Sequence, residues 1–212
     1  MSFMLGSPMV FFWNNIFSSL DLFKIFIKNT EKQCLHIPKE FQKKKVIIDL
    51  DYQSVTIHNG LDDMEWDLDT LFKEHFPNLH RKSAFLSIYG ECEHLLNKLC
   101  IIIMKERNLG ILLADMNGTG VDRARLYLTK VAKLIINDNE LWQIIKNLQF
   151  LRNQIAHNSG LVTECNNKKY NNIKNSIPYI RGEKEILIDK GFLDYVLQKF
   201  ITYFKEIQNG TI

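Results

Sequence analysis

The sequence predicts a mainly α-helical protein, and three observations support this prediction. Apolar residues recur every three or four positions over 81–107, 122–136, 139–157 and 190–208, which predicts an antiparallel four-helix bundle. Hydrophobic residues make up 46% of the chain and charged residues 24%, as in soluble globular proteins. Only 4 prolines and 10 glycines occur among 212 residues, which argues against long disordered segments.

An amphipathic helix is predicted at the start of the chain. Apolar residues at helical spacing outline one face of it over 9–27: Met9, Phe12, Ile16, Leu20, Phe23 and Ile27. Because Asn14, Asp21 and Lys24 interrupt the segment, it contains no apolar run of bilayer length. We therefore favour packing of this helix on the domain or in a dimer interface over binding to a membrane surface, and expect no membrane partner.

Residues 1–78 and 79–212 are predicted to be separate units, the second being the bundle. The length of the chain allows either one domain with an N-terminal elaboration or two small domains. In the first unit, short strands over 46–51 and 54–57 predict a β-hairpin cap. A short helix over 68–76 is expected to stop before the proline at position 77, because a residue that precedes proline disfavours the helical conformation.

A long loop and a second small hairpin are predicted before the last bundle helix. Residues 158–176 are rich in asparagine and lysine and predict the loop, and residues 177–188 predict the hairpin. Asp122 or Asp138 could cap the helices near them, and Asp189 is expected to cap the last helix.

The charge and cysteine content set limits on partners and cofactors. A formal net charge of +3 permits an anionic partner without requiring one. The 4 cysteines have no CxxC spacing, and the histidines complete no zinc pattern, so neither a metal nor another cofactor is predicted. Free thiols in a reducing cytoplasm are expected, with Cys92 and Cys100 in the core.

The candidate functional residues lie at the end of the third predicted bundle helix. Asn153 and His157 are four positions apart and therefore share a helix face, and the long side chain of Arg152 can reach the same space. A guanidinium can clamp a phosphate, and an imidazole can take up and release a proton near neutral pH. Because RNA supplies its own nucleophile, the 2′-hydroxyl, such a set could cleave RNA without a metal.

The pattern Arg152-Asn153-x-x-x-His157 resembles the RxxxxH signature of the HEPN superfamily. The resemblance covers about residues 80–208 and implies a helical bundle that forms a homodimer and brings two motifs together. It implies a cytoplasmic, metal-independent endoribonuclease of the toxin, abortive-infection or antiphage-defence type, which leaves a 2′,3′-cyclic phosphate. RNA, a second copy of the chain and an antitoxin or defence-system protein would be its partners. Ser159 stands where one branch has a tyrosine, so antitoxin control by modification of that tyrosine is not implied.

The resemblance also implies roles for single residues. Arg152 and His157 would be catalytic, and Asn153 would orient His157 or the scissile phosphate. Glu91 and Glu93 lie on the first bundle helix, where an acidic residue accompanies the motif in several such families. Two solvated carboxylates on the flank of a helix explain this pair equally well.

Three alternatives remain open from the sequence. Lys168 and Lys169 could contact the RNA backbone, although a solvated loop is the better explanation. The motif itself could be a pair of basic groups that complement a helix dipole, followed by an ordinary C-cap. The whole bundle could be a non-catalytic HEPN-type module that binds RNA, a nucleotide or a protein.

Overall fold

The structure is a computed structural model that describes residues 7–50 and 52–211. Its helices are α1 (Pro8–Lys44), α2 (Leu68–Thr70), α3 (Phe76–Glu106), α4 (Gly120–Leu126), α5 (Asn139–Asn158), α6 (Glu164–Ser176) and α7 (Phe192–Thr211). Strands β1 (Val46–Leu50), β2 (Gln53–His58) and β3 (Leu61–Asp62) form one antiparallel sheet, and β4 (Ile180–Arg181) and β5 (Leu187–Ile188) form another. The prediction of a mainly helical protein with small hairpins is confirmed.

Helix α1 is longer than predicted and forms one wall of the main core. The Ser7 side chain caps its first turn by accepting a hydrogen bond from the Val10 N–H. All the predicted apolar positions of its inner face are buried, except Phe23, which is half-buried. Near its middle, Arg81 of α3 donates two hydrogen bonds of 2.9 and 2.8 Å to the Glu31 carboxylate. Helix α1 therefore packs along α3 as an integral element of the bundle.

The prediction that a helix stops before the proline at position 77 is wrong. A π-helical turn over Leu71–His75 follows α2, and α3 continues directly from it. Pro77 lies in the first turn of α3, directly after the π-helical turn, and the fixed backbone angle of proline suits a helix there. The result is one continuous helical rod from Leu68 to Glu106 with α3 as its main part.

Helix α3 lies at the centre of the fold and contacts α1, α4, α5 and α7. Its predicted stripe is buried, from Phe85 to Leu99, and Ile102 is half-buried. Aromatic pairs tie it to α7, with ring centroids 5.1 Å apart for Phe85 and Phe192 and 5.4 Å apart for Tyr89 and Phe200. Because α1, α4, α5 and α7 all rest on α3, residues on its surface can contribute to a site on any of these four helices.

The helix predicted over 122–136 begins and ends earlier in the structure. Helix α4 passes into a π-helical turn over Tyr127–Val131, and Lys133 adopts a left-handed φ of 56°, which ends the helical segment. As a consequence Ile135, which lies within the predicted helix, is exposed. The fourth long helix beside α3, α5 and α7 is therefore α1.

The segment predicted as a long loop, 158–176, contains helix α6. Tyr170, Ile173 and Ile177 are buried at positions i, i+3 and i+7, so one apolar face holds this polar helix on the core. The Tyr170 hydroxyl donates a hydrogen bond of 2.9 Å to the Arg181 carbonyl in the hairpin that follows. The predicted hairpin is confirmed as β4 and β5, with Ile180 opposite Ile188.

Of the two predicted caps for the inner helices, the structure contains the Asp138 cap and not the Asp122 cap. The Asp138 carboxylate accepts a hydrogen bond of 2.8 Å from the Leu141 N–H and caps α5. The Asp122 prediction is wrong, because Thr119 occupies the N-cap of α4 and Asp122 lies in its first turn. The Asp189 carboxylate accepts a hydrogen bond from Arg181, while its backbone carbonyl accepts one from the Phe192 N–H at 3.3 Å.

The three-stranded sheet packs over a small second core. Phe41 and Phe72 stack with ring centroids 4.9 Å apart, Leu68 completes the cluster, and His58 packs edge-on against both rings. The N-terminal half of α1 lies instead in the main core with α3 to α7. A division of the chain at 78/79 falls inside α3, so residues before it contribute to both cores.

Within the described residues, α1 is the one helix long and apolar enough to cross a membrane by length and composition. Its inner face packs against α3 and α7. Its most apolar 18-residue window is 28% buried. Exposed apolar side chains, including Phe11, Leu22 and Ile25, therefore remain on its outer face.

Candidate functional site

The guanidinium of Arg152 is held between α5 and α3. Its Nη1 donates a hydrogen bond of 2.9 Å to Asn153 Oδ1, and its Nη2 lies 3.8 Å from Glu93 Oε2. The guanidinium carbon also lies 5.8 Å from the centre of the Tyr89 ring. Because 31% of the Arg152 side chain is still exposed, the group is positioned by the protein and open to solvent at the same time.

The Tyr89 ring lies beneath the Arg152 guanidinium. It is fully buried, and its hydroxyl has no hydrogen-bond partner in the part of the chain that the structure describes. Burial raises the pKa of Tyr89 above its usual range, the Glu93 carboxylate raises it further, and Arg152 opposes that effect. The phenol therefore stays protonated beneath the guanidinium at physiological pH.

A second charged pair lies beside the first. The Lys146 ammonium of α5 donates hydrogen bonds to Asp122 of α4 and to Gln149, the latter at 2.8 Å. The Asp122 carboxylate is near enough to Tyr89 to raise the pKa of its phenol. Glu93 faces the start of α4, where a Cβ on Gly120 would lie 3.3 Å from its carboxylate. The surface over α3, α4 and α5 thus carries alternating positive and negative groups.

His157 lies in the last turn of α5 and is exposed. Five positions separate it from Arg152, which places it about 140° further round the helix. Asn153 and His157 share a face, as predicted, but the Asn153 oxygen accepts a hydrogen bond from Arg152. In a single chain Asn153 therefore orients the guanidinium, and among the described residues no hydrogen bond joins His157 to it.

The end of α5 is fixed by contacts beyond the motif. Ser159 adopts a left-handed φ of 55°, and the N–H groups of Ser159 and Gly160 both donate to the Gln154 carbonyl. The buried Lys82 ammonium of α3 lies 3.3 Å from the Ser159 carbonyl and 2.6 Å from the Glu185 carboxylate. Helix α5 therefore ends in a corner that several hydrogen bonds hold, two residues after His157.

The other predicted residues are separated by the fold. Glu93 joins Arg152, whereas Glu91 is exposed and lies about 160° away on the same helix. Lys168 and Lys169 are exposed on α6, and the Lys169 ammonium lies 4.7 Å from the centre of the Phe150 ring. Glu93 is therefore part of the site in one chain, whereas Lys168 and Lys169 belong to an adjacent surface.

Sequence reasoning missed Tyr89, Lys146 and Lys82. Each lies within an apolar or mixed helical stretch, and its role depends on which neighbouring helix it faces. A lysine inside the buried stretch at the start of α3 was the one available signal, because a buried ammonium requires a partner.

All four cysteines are free, with Cys34, Cys92 and Cys100 buried and Cys165 exposed. Across the described residues, no group of three or more His, Cys, Asp or Glu side chains could hold a metal ion. No protein-family model matches the chain, and no curated protein or solved structure matches it either.

Proposed function

We propose that this chain is a metal-independent endoribonuclease of the HEPN type, with a site assembled from two copies of the motif. The observation that carries the proposal is the guanidinium of Arg152, which is held by Asn153 and Glu93 yet remains partly exposed. A charge in that position can exchange its weak 3.8 Å contact with a carboxylate for a closer contact with a phosphate. The bundle around α3, α5 and α7 would be the HEPN-like core.

The chemistry needs two proton transfers and one anion contact. One His157 imidazole accepts the proton of the ribose 2′-hydroxyl, and the 2′-oxygen attacks the phosphorus. The 5′-oxygen leaves and takes a proton from the imidazolium of the second His157, while Arg152 stabilises the non-bridging oxygens. The products are a 2′,3′-cyclic phosphate and a free 5′-hydroxyl.

The exposure of His157 explains why a second chain is required. One His157 imidazole cannot take the proton of the 2′-hydroxyl and protonate the 5′-oxygen on the opposite side of the same phosphate. A two-fold axis beside α5 would supply the second imidazole and the second guanidinium. By this proposal the protein acts on RNA in the cytoplasm, as a toxin or antiphage effector, and an antitoxin or defence protein could control it.

The deciding experiment is cleavage of single-stranded RNA in EDTA by the wild type and by His157→Ala. We expect the substitution to reduce the rate at least about a hundredfold, the range lost with a general acid–base group. The 2′,3′-cyclic phosphate end should be identified on the wild-type products. His80→Ala is the matched control, because His80 is also an exposed histidine and lies on α3. This variant should cleave RNA at the wild-type rate. Cleavage that requires Mg²⁺, or that His157→Ala retains, would contradict the proposal.

A non-catalytic module that binds RNA, a nucleotide or a protein is the second candidate. The exposed apolar residues of α1, such as Phe11, Leu22 and Ile25, favour it because they offer a contact surface unrelated to the motif. If the chain has this function, His157→Ala should still bind the partner, and the wild type should not cleave RNA.

A further inference from the structure

The outer edge of β1 is open and apolar. The strand order β1-β2-β3 places β1 at the end of its sheet, and in the described part of the chain no strand pairs with its other side. Val46, Ile47 and Ile48 are 56%, 59% and 43% exposed along this strand. An edge of this kind is a template for another strand, because its backbone groups lack partners and its side chains gain by burial.

The direction of the unpaired backbone groups follows from the register of the sheet. Ile47 lies opposite Thr56 of β2. The Thr56 N–H donates to the Asp63 carboxylate at 3.0 Å, and its carbonyl accepts from the Asp63 N–H at 3.0 Å, so both groups face away from β1. Opposed residues of an antiparallel pair exchange either both hydrogen bonds or neither. The N–H and the carbonyl of Ile47 therefore point outward from the sheet.

The same alternation applies two residues away on each side. Asp49, opposite Ser54, also directs its N–H and carbonyl outward. Lys45 directs its carbonyl outward, while its N–H is used by the Phe41 carbonyl at 2.9 Å. Lys45, Ile47 and Asp49 also share one face of the strand, because side chains alternate between faces. The edge thus carries a cation and an anion at equal distances from Ile47.

We propose that β1 pairs antiparallel with β1 of a second copy of this chain, about a two-fold axis at Ile47. In this register the two Ile47 residues exchange both backbone hydrogen bonds, and each Asp49 N–H donates to a Lys45 carbonyl. Each Lys45 side chain lies opposite an Asp49 side chain of the other copy, so the dimer contains two pairs of opposite charges. The two sheets become one sheet of six strands.

Charge complementarity is the reason for choosing a second copy as the occupant. A strand of another protein would have to carry an anion and a cation four residues apart, and β1 itself carries that pair. The Asp49 carboxylate accepts a hydrogen bond of 2.5 Å from Ser54, and the Lys45 ammonium lies 5.5 Å from the centre of the Phe41 ring. Both charges are therefore held near the strand. This surface is independent of RNA cleavage and of the motif on α5.

Disulfide cross-linking tests the axis directly. In Cys165→Ser protein, which lacks the exposed native thiol, Ile47→Cys should form a covalent dimer under mild oxidation. Its two Cα atoms would lie about 5.5 Å apart, within disulfide range. Val46→Cys is the matched control, because that residue is equally exposed but its two copies would lie diagonally, about 7 to 8 Å apart.

The two results separate the proposal from its alternatives. A cross-link at position 47 that is much faster than at position 46 supports the axis. Equal rates at both positions, or no cross-link at position 47, would overturn the proposal and leave the edge to a strand of a different protein.

Charge reversal tests the register. In the Ile47→Cys background, Lys45→Asp or Asp49→Lys alone would place like charges opposite each other and should slow cross-linking about tenfold or more. The double reversal Lys45→Asp/Asp49→Lys restores opposite charges and should restore the rate. Single reversals that have no effect, or a double reversal as slow as the singles, would overturn the pairing.

Discussion

Tyr89 shows how one side chain can join stability to the proposed site. Its ring lies beneath the Arg152 guanidinium, and its hydroxyl has no hydrogen-bond partner among the described residues. Because an unpaired buried hydroxyl contributes no net hydrogen-bond energy, the ring and not the hydroxyl stabilises the fold here. The raised pKa of this phenol nevertheless makes the hydroxyl a source of alkaline instability.

We expect Tyr89→Phe to protect the protein at high pH. The pKa of Tyr89 is raised in the folded state, so its contribution to stability is complete below the unfolded value of about 10 and is lost as the pH rises above it. The free energy of unfolding, measured with urea, should change by less than about 1 kcal/mol at neutral pH and should fall less steeply above about pH 10.

Tyr170→Phe is the comparison for that experiment. Burial raises the pKa of Tyr170 to about 12, so its removal should also reduce the alkaline loss. Its hydroxyl, however, donates to the Arg181 carbonyl at 2.9 Å, and losing this bond should cost about 1 kcal/mol at neutral pH. A larger neutral-pH loss for Tyr89→Phe than for Tyr170→Phe would show that the Tyr89 hydroxyl does have a partner.

At the residue scale, the sequence predicted which helix carries the motif but not the contacts of the motif. The α5 periodicity and the Asp138 cap were readable because they depend on neighbours along the chain. The contact of Glu93, and not Glu91, with Arg152 could not be predicted, because it depends on how α3 is rotated against α5. The hydrogen bond from Arg152 to Asn153 was not predicted, because helix geometry shows which residues share a face but not which rotamers they adopt.

At the scale of elements, the end of α5 is stabilised by a glycine that no other residue can replace without strain. Gly160 has a φ of 84°, and a Cβ built there would lie 2.7 Å from the Lys82 ammonium. Its carbonyl also accepts a hydrogen bond of 2.8 Å from the Ile186 N–H. The same few atoms therefore join α5, α3 and the strand-like segment before β5.

We expect Gly160→Ala to destabilise the protein by about 1 to 3 kcal/mol, because alanine is strained at this φ and displaces Lys82. Gly90→Ala is the matched control, since Gly90 lies inside α3 with nothing within 4 Å of its would-be Cβ. That change should stabilise by about 0.5 to 1 kcal/mol through helix propensity. Urea unfolding of both variants checks this, and equal effects would contradict the role of the corner.

Two elements show where the local sequence pattern was insufficient, and a third shows where it was enough. Helix α6 was missed because asparagine and lysine dominate its composition, although Tyr170, Ile173 and Ile177 already had helical spacing. The local sequence predicts that a helix stops at the proline at position 77, because the π-helical turn before it cannot be inferred from composition. The sheet hairpin was predicted correctly because two β-branched runs around a short turn are a local signal.

At the scale of the whole molecule, the two proposed contacts have different consequences. A two-fold axis beside α5 would complete the ribonuclease site, and a two-fold axis at Ile47 would join two sheets. Each interface is closed by itself, because a two-fold contact satisfies both partners at once. If one chain uses both, each dimer has free copies of the second surface and can assemble further, so association should depend on protein concentration in two steps.

The requirement for two chains in one site can be tested with mixed dimers. Wild type refolded together with an equal amount of His157→Ala gives mixed dimers for half of the total, and each mixed dimer keeps only one imidazole. Because the proposed mechanism uses both imidazoles in one site, the mixture should cleave at about a quarter of the rate of the same total amount of wild type, since only a quarter of the dimers keep both.

The control mixes His157→Ala with the double variant Arg152→Ala/His157→Ala and should remain inactive, because no imidazole is left. Recovery in this control would mean that a group other than His157 transfers the proton. A rate of about half in the first mixture would mean that each His157 acts within its own chain, and would contradict a site assembled from two copies. A single imidazole would then have to carry out both proton transfers, on opposite sides of one phosphate.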